Sequence, residues 1–336
     1  MPTGERIVDE AVRHRIALGR YSNTTVRRVL ALLNRVEASV IERLARADNE
    51  GLTRANLDAL LYEVRALQAD GWTLVRDRLN SDLAGLAGGE ADFAARLVRL
   101  GAGAASIEAV TGVPTASQVV AAANARPFQG RFLREWLADA EEGAAKRVRQ
   151  AIQQGFVEGR SVSELIRQIR GTKAANYRDG ILEISRRGAE AMVRTAITHV
   201  SNVAHQETYT AFGPDVVSGV MWVATLDART TDICASRDGT IYPVDSGPRP
   251  PAHVNCRSTT APAILGMEPV KRQTYAEWFA KQPAAVQDDI LGKTKGQLYR
   301  QGQIALDRFV DNKGRTLTLE ELRRRDASAF EKAGVG

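Results

Sequence analysis

Apolar residues recur at alternating steps of three and four along much of the chain, which is the period of an α-helix that buries one face. Over residues 21–48, charged side chains separate the apolar positions, which are Val26, Val29, Leu33, Val36 and Val40. Asn23 or Thr24 could cap this helix. A second apolar stripe begins after Gly51 and resumes beyond Gly71. We therefore expect two long helices that pack as a hairpin.

The pattern weakens in the middle of the chain and then returns. Residues 84–130 are rich in Ala, Gly and Pro, which favours short helices joined by loops and a flexible boundary. Helical periodicity resumes over residues 130–159, and Ser161 with Glu164 forms a capping box that starts another helix. A long helix is predicted over residues 184–212, with polar side chains along one face.

The period changes to that of strands after this helix. The segments GVMWVATLD and TIYPV are rich in β-branched and aromatic residues, and an Asp-Gly pair between them marks a turn. After Pro269 the chain reads as helical again, with capping boxes at Thr274/Glu277 and Thr318/Glu321. We expect a mainly α protein with a small α+β module, containing a short antiparallel sheet near residues 185–262, and a helical C-terminal tail.

Four regions follow from this pattern. They are a helical N-terminal region over residues 1–100, a helical middle region over 101–183, the α+β module over 184–265, and the tail over 266–336.

Composition agrees with a helical protein. The chain has 336 residues, of which 44% are hydrophobic, 26% charged and only 6% aromatic. No apolar run reaches the roughly 18 residues that a membrane helix needs. The N-terminus does not read as a signal peptide, and two cysteines are too few for a disulfide framework. We expect a protein made in a reducing compartment.

Charge is modestly positive, with a formal net charge of +6. A net positive charge of this size is expected of a protein that binds an anionic partner, and it is equally expected of an ordinary arginine-rich surface. The most basic stretch, residues 144–173, supplies the candidate contacts with DNA or a partner protein, which are Lys146, Arg147, Arg149, Arg167 and Arg170. Solvated helix faces explain such a stretch equally well, because it holds only one aromatic residue, Phe156, that could stack on bases.

Candidate chemistry is concentrated in residues 225–258, which hold both cysteines. Cys234, His253 and Cys256 are residue types that zinc prefers, and Asp227, Asp232 or water could be the fourth ligand. Two alternatives stay open at this point. The cysteines could be packed as small buried hydrophobes, or they could form a disulfide that closes a loop of about 20 residues.

Catalysis by the same residues is a further alternative. A cysteine nucleophile would need His253 beside it and a third group to orient the ring. The fragment His253-Val254-Asn255 is weakly similar to a metal-dependent nuclease site. The sequence contains no phosphate-binding loop of the GxxxxGK[ST] form and no HExxH motif.

An ordered set of motifs runs through this region. Arg-Thr, expected at the start of a helix, is followed by Trp-x-Ala, by Asp-x-Arg-Thr leading to a cysteine, by an Asp-Gly turn, and by Pro-Pro-x-His-x-Asn-Cys-Arg. The motif residues besides the cysteines and His253 are Arg194, Thr195, Trp222, Asp227, Arg229, Asp238, Gly239, Pro251, Asn255 and Arg257. In order and spacing they resemble the Mu F-like phage head morphogenesis proteins, also called minor head or minor capsid proteins. The close match covers residues 185–262.

This resemblance implies a structural, non-enzymatic virion protein made in the host bacterial cytoplasm. Proteins of the family join the phage head, associate with the portal or the inner capsid, and act in head assembly and in DNA packaging or delivery. The expected partners are the portal and major capsid proteins and packaged DNA. The resemblance also implies that the cysteines and His253 act as one unit, cross-linked by metal or by packing, with zinc as the candidate cofactor. The alternatives are a metal-dependent nuclease or hydrolase and a non-specific DNA-binding virion protein.

Overall fold

A computed structural model describes residues 3–50, 53–102, 112–268, 273–311 and 316–335. Helices dominate these ranges, and they include one small antiparallel sheet, so the predicted fold class is confirmed. Within the described residues, none of the helices is both long enough and apolar enough to cross a membrane.

The predicted hairpin of long helices is present. α1 spans Thr3–Glu50 and α2 spans Arg54–Gly101, and the two pack along one another. The expectation that Asn23 or Thr24 caps the first helix is wrong, because α1 already begins at Thr3 and both residues lie in its middle. The apolar stripe continues into this first part through four buried residues, which are Ile7, Val8, Ala11 and Leu18.

The second helix is longer than its glycine content suggests. Short helices and loops were expected from residue 84, yet α2 continues as one helix to Gly101. Its last third is held by burial, since Ala87, Ala91 and Ala94 are fully buried. Gly71 permits the close approach of the two long helices, because a Cβ there would collide with the side chain of Val36 on α1. Residues 103–111 of the expected flexible boundary lie outside the described residues.

Four further helices belong to the α-helical part within the residues that the structure describes. The short α3 spans Ala116–Ala125 and starts with a capping box. It is followed by α4 (Leu133–Val157), α5 (Val162–Arg170) and α6 (Ile181–Phe212). The capping box predicted at the start of α5 is confirmed. α6 is the central helix of this part, because it contacts α1, α2, α3, α4 and α5.

The sheet has three antiparallel strands in the order β2-β1-β3, namely β1 (Val217–Val223), β2 (Ile241–Tyr242) and β3 (Thr259–Ile264). A short helix, α7 (Asp232–Arg237), connects the first two strands and was not predicted. The third strand was not predicted either. Pro262 within it is tolerated because β3 lies at an edge of the sheet.

Small helices make up the C-terminal tail, as expected. They are α8 (Tyr275–Ala280), α9 (Ala284–Leu291), α10 (Lys293–Arg300), a 3₁₀ turn (Leu306–Phe309), α11 (Leu319–Arg325) and α12 (Ala327–Ala333). Both predicted capping boxes of the tail are confirmed. The tail has its own apolar core, which also includes Ala235 of α7.

The sheet rests on the N-terminal helices. One apolar core joins the start of α1 and the end of α2 to the end of α6 and to the sheet, with Ile7, Phe93, Tyr209 and Val217 among its buried members. The long helices therefore fix the position of the segment that contains both cysteines.

Candidate functional site

Cys234, His253 and Cys256 come together in the structure. Cys234 lies on α7, whereas the other two lie in the loop before β3. The Sγ atom of Cys234 is 3.2 Å from Nε2 of His253 and 3.7 Å from Sγ of Cys256. Both cysteines are free thiols and both are buried. We call these three residues the Cys–His–Cys cluster.

The geometry of the Cys–His–Cys cluster fits a zinc ion. With zinc–sulfur bonds of about 2.3 Å, two thiolates of a tetrahedral site lie about 3.8 Å apart. The observed sulfur–sulfur separation of 3.7 Å is close to this value. Nδ1 of His253 is 2.8 Å from the carbonyl oxygen of Val254, to which it can donate its proton, and Nε2 then faces both the hydroxyl of Thr231 at 2.8 Å and the sulfur of Cys234 at 3.2 Å.

Electrostatics in the cluster favour one charged thiolate. A hydrogen bond from Cys234 lowers the pKa of Cys256 against the effect of burial, and His253 lowers it further. The same thiol–thiol bond, together with burial, raises the pKa of Cys234. Burial opposes a charge on His253, but the neighbouring Cys256 raises the pKa of the imidazole. A thiolate beside a basic imidazole can bind a metal ion or act as a nucleophile.

The structure does not bring Asp227 to the cluster. Its carboxylate makes two hydrogen bonds of 2.6 Å to the guanidinium of Arg257, which lower the pKa of Asp227. Asp232, the other carboxylate considered, accepts a hydrogen bond from the Thr316 hydroxyl at 2.8 Å. A cavity of about 10 Å³ borders Cys234 and His253, and this volume is about that of one water molecule or ion.

Helices α1 and α6 hold the loop that carries His253 and Cys256. Arg15 of α1 and Thr198 of α6 both donate to the carbonyl oxygen of Cys256, at 3.2 and 3.1 Å. The hydroxyl of Thr195, also on α6, accepts from the backbone N–H of Asn255 at 3.0 Å. Asn255 has a φ of +60°, a conformation that asparagine tolerates better than most residues. The motif threonine is thus a support for the loop.

Other motif residues pack against the cluster or fix the backbone around it. Trp222 is buried against both cysteines and Ala224, with the guanidinium of Arg237 5.3 Å from the centre of its ring. Asp238 accepts from the backbone N–H groups of Ala224 and Tyr275 and so ties the end of β1 to α8. Two motif residues shape the backbone, namely Gly239, with a φ of +80°, and Pro251, which is buried and follows a cis peptide bond.

A cleft of about 830 Å³ opens beside the cluster, between α1, α6 and the loops of the module. His253 and Cys256 border it. Six arginines also line this arginine cleft, namely Arg15, Arg20, Arg187, Arg194, Arg229 and Arg257, with Glu190 as an acidic neighbour. Sequence reasoning missed Arg15 and Arg20, because nothing local connects α1 with a loop more than 200 residues away.

The basic residues of 144–173 do not form one surface. Lys146 and Arg149 line a groove between α2 and α4 together with two acidic residues, Glu141 and Glu142. Arg147 points instead toward α6, where its Nη2 donates to the hydroxyl of Ser185 at 3.2 Å, and burial lowers its pKa.

The remaining two basic residues lie on α5. Arg167 is exposed. Arg170 lies 4.7 Å from the centre of the Tyr177 ring and lines a separate groove with Glu37 and Glu42 of α1. The five candidates are thus distributed over different parts of the helical surface, and acidic side chains share two of those parts.

Comparison with known proteins identifies a family for the middle of the chain. Residues 146–261 match the model of a protein family described as phage Mu protein F like protein. The match confirms the resemblance drawn from the motifs, and the matched span contains both cysteines and most of the sheet. It supports a phage head morphogenesis protein. No match was found among curated proteins or among solved structures.

Proposed function

We propose that this chain, whose residues 146–261 match the phage Mu protein F like family, is a structural minor head protein of a tailed bacteriophage. The observation that carries the proposal is the convergence of the family-type motif residues on one compact unit. Their side chains support a loop, form a wall or tie elements together, as Thr195, Trp222 and Asp238 do. These are the tasks of a structural element, and the proposal is therefore non-enzymatic.

The long helices suit this role because they hold the module in a fixed position. The buried core shared by α1, α2, α6 and the sheet leaves the module little freedom to move independently of the helices. We propose that the protein is made in the host cytoplasm and joins the virion head. There it contacts the portal or the major capsid protein, and it acts in head assembly and in DNA packaging or delivery.

Zinc is the proposed cofactor of the Cys–His–Cys cluster. Cys234, Cys256 and Nε2 of His253 would hold the ion, and a water molecule in the adjoining small cavity could complete the tetrahedron. Bound zinc would supply a local cross-link between α7 and the loop before β3. Arg15 and Thr198 would keep that loop in place from outside.

The test of the head-protein proposal is made on the phage or prophage that encodes the chain. Virions purified from it and digested for mass spectrometry should contain this protein in the DNA-filled head. A phage that carries Cys234→Ser with Cys256→Ser should give fewer filled or infectious heads. The matched control is Ser246→Ala, in an exposed loop of the same module, which should have no effect. Absence of the protein from intact virions would refute the proposal.

A second candidate function, DNA binding, is favoured by the arginine cleft. Arg20 and Arg229 are exposed at its rim, and positive charge concentrated in a concave surface attracts phosphates. Two charge-reversal variants separate the possible surfaces. Arg20→Glu with Arg229→Glu alters the cleft, whereas Arg149→Glu with Arg167→Glu alters the basic stretch. If the cleft binds DNA, the first variant should lose salt-dependent binding and the second should keep it.

The same DNA assay tests the enzymatic alternative, since His253 borders the cleft. Supercoiled plasmid incubated with the protein and Mg²⁺, Mn²⁺ or Zn²⁺ should stay intact under the structural proposal. Nicking that disappears in His253→Ala would instead establish a metal-dependent nuclease.

A further inference from the structure

A second cluster of metal-ligand side chains lies among the helices, away from the cysteines. His14 on α1, Glu90 on α2 and His205 on α6 place their ligand atoms within 4.8 Å of one another. Nε2 of His14 is 2.7 Å from one carboxylate oxygen of Glu90, and Nε2 of His205 is 3.3 Å from the other. We call these residues the His–Glu–His cluster.

The carboxylate at its centre is almost completely buried. Glu90 is 2% exposed and His205 is 0% exposed. A buried negative charge needs a cation beside it. Two imidazole nitrogens directed at the carboxylate can supply that cation as a proton or as a metal ion.

Supporting contacts orient the three side chains. The ring of His14 stacks on Phe93, with 3.6 Å between ring centres. The hydroxyl of Ser201 donates to the Glu90 oxygen that faces His205. Nδ1 of His205 lies 3.4 Å from the hydroxyl of Thr260 on β3. Polar or packed neighbours that fix the ring and the carboxylate are typical of metal sites.

One nitrogen of the cluster lacks a satisfactory hydrogen bond. Nε2 of His205 is buried and faces Glu90, but it has no hydrogen-bond partner of acceptable geometry. A fully buried imidazole nitrogen left in this state is costly. His14 makes a hydrogen bond of 2.7 Å to Glu90, whereas the same carboxylate leaves Nε2 of His205 unpaired. A lone pair directed at a shared ion accounts for the arrangement better.

We propose that His14, Glu90 and His205 bind a divalent transition-metal ion, zinc being the best fit, and that this ion fastens α1 to α2 and α6. Two histidines and one carboxylate form a common zinc ligand set, with bonds of about 2.0–2.2 Å. Around one tetrahedral ion these atoms lie about 3.3 Å apart. These two contacts are to different oxygens of Glu90, so the carboxylate would hold the ion through both oxygens, and the His14 contact of 2.7 Å would open by about half an ångström.

The ion would reach the site from the side of His14. The side chain of His14 is 25% exposed, whereas those of the other two ligands are nearly inaccessible. His14 lies one position before Arg15, which holds the loop of the Cys–His–Cys cluster. Metal binding at the helices would therefore restrain the part of α1 that supports the module.

The test uses the full chain with the other cluster removed. The background protein carries Cys234→Ser, Cys256→Ser and His253→Ala. Titration with Zn²⁺ in a calorimeter should give about one equivalent bound, and Co²⁺ should give tetrahedral d–d absorption without thiolate charge-transfer bands. Adding His14→Gln to this background should weaken Zn²⁺ binding by at least about tenfold. The matched control is Glu10→Gln, an exposed residue one turn earlier on α1, which should bind as the background does.

A second measurement covers the case in which the background protein does not fold. X-ray absorption of the wild-type chain loaded with two equivalents of zinc should show a mixed shell of sulfur and nitrogen or oxygen. In His14→Gln the share of sulfur should rise and about one equivalent should be lost. The proposal is overturned if the folded background and its His14→Gln variant bind Zn²⁺ equally, or if the zinc content of the wild-type chain does not change on His14→Gln.

Discussion

The two candidate metal clusters differ in how the fold assembles them. The Cys–His–Cys cluster takes its ligands from one small module, with the cysteines 22 positions apart in the chain. The His–Glu–His cluster takes them from three helices, and His14 alone is 76 positions from Glu90. The first borders an open cleft, whereas the second is enclosed by helices. A local motif can therefore build the first, but only the completed helical packing can build the second.

This difference implies different consequences of mutation. Loss of the His–Glu–His cluster should affect the whole fold, because its three helices carry the main apolar cores. Loss of the Cys–His–Cys cluster should affect mainly the module. Two substitutions test this contrast directly, and two more change carboxylates outside both clusters, where the losses should be smaller.

Glu90→Ala should give the largest loss of stability. It removes a buried carboxylate that pairs with His14 and accepts the hydroxyl of Ser201. Loss of such contacts at a buried charged group costs about 3 kcal/mol. Urea unfolding followed by circular dichroism would measure it. A loss below about 1 kcal/mol would show that the cluster contributes little to the packing of the helices.

Cys234→Ser with Cys256→Ser should cost less, about 2 kcal/mol, because it leaves the helical cores intact. The change should instead be visible locally, since Trp222 packs against both cysteines. Tryptophan fluorescence should change at lower urea than the helical circular dichroism does. If fluorescence and circular dichroism of the variant change at the same urea concentration, the module does not unfold separately from the helices.

Asp227→Asn should have a smaller effect on stability, at most about 1 kcal/mol. Its ion pair with Arg257 is bidentate but about one third exposed, so water screens it. Thermal unfolding would measure the loss. Zinc content should not change in this variant, because the carboxylate faces Arg257. Loss of one equivalent of zinc would instead make Asp227 a metal ligand.

Asp179→Asn should have the smallest effect, and that effect should depend on pH. The backbone N–H and hydroxyl of Thr172 donate to this carboxylate at 2.8 and 2.7 Å and lower the pKa of Asp179. A lowered pKa stabilises the folded state above the ordinary value of about 3.9, and this contribution fades as the pH falls below it. Urea unfolding should show a larger difference between variant and wild type at pH 7 than at pH 3. An equal difference in the free energy of unfolding at both pH values would contradict this cause.

The sequence predicted the helices well because their apolar spacing and capping boxes are local signals. The capping boxes of Ser161, Thr274 and Thr318 are present as expected. Local signals failed where tertiary packing overrides them. Glycines suggested loops after residue 84, but the buried alanines around them keep α2 helical. The third strand was missed because Pro262 is unfavourable in a strand and is tolerated here only at an edge.

The candidate site divides in the same way. Cys234, His253 and Cys256 could be grouped from the sequence because one motif contains them. Asp227 lies in the same motif, yet its place in space depends on Arg257, which spacing does not reveal. The His–Glu–His cluster had one local signal, since Glu90 is a charged residue between the buried Ala87 and Ala94 on the apolar stripe of α2. Its partners on α1 and α6 had none.

The most direct test of the account is the zinc content of the purified wild-type chain and its variants, with reactive thiols counted under native conditions. We predict two zinc ions in the wild type, one in Cys234→Ser with Cys256→Ser, and one in His14→Gln, with the wild-type thiols protected until a chelator is added. Equal zinc content in the wild type and the cysteine variant, together with two freely reactive thiols, would contradict a metal-organised module.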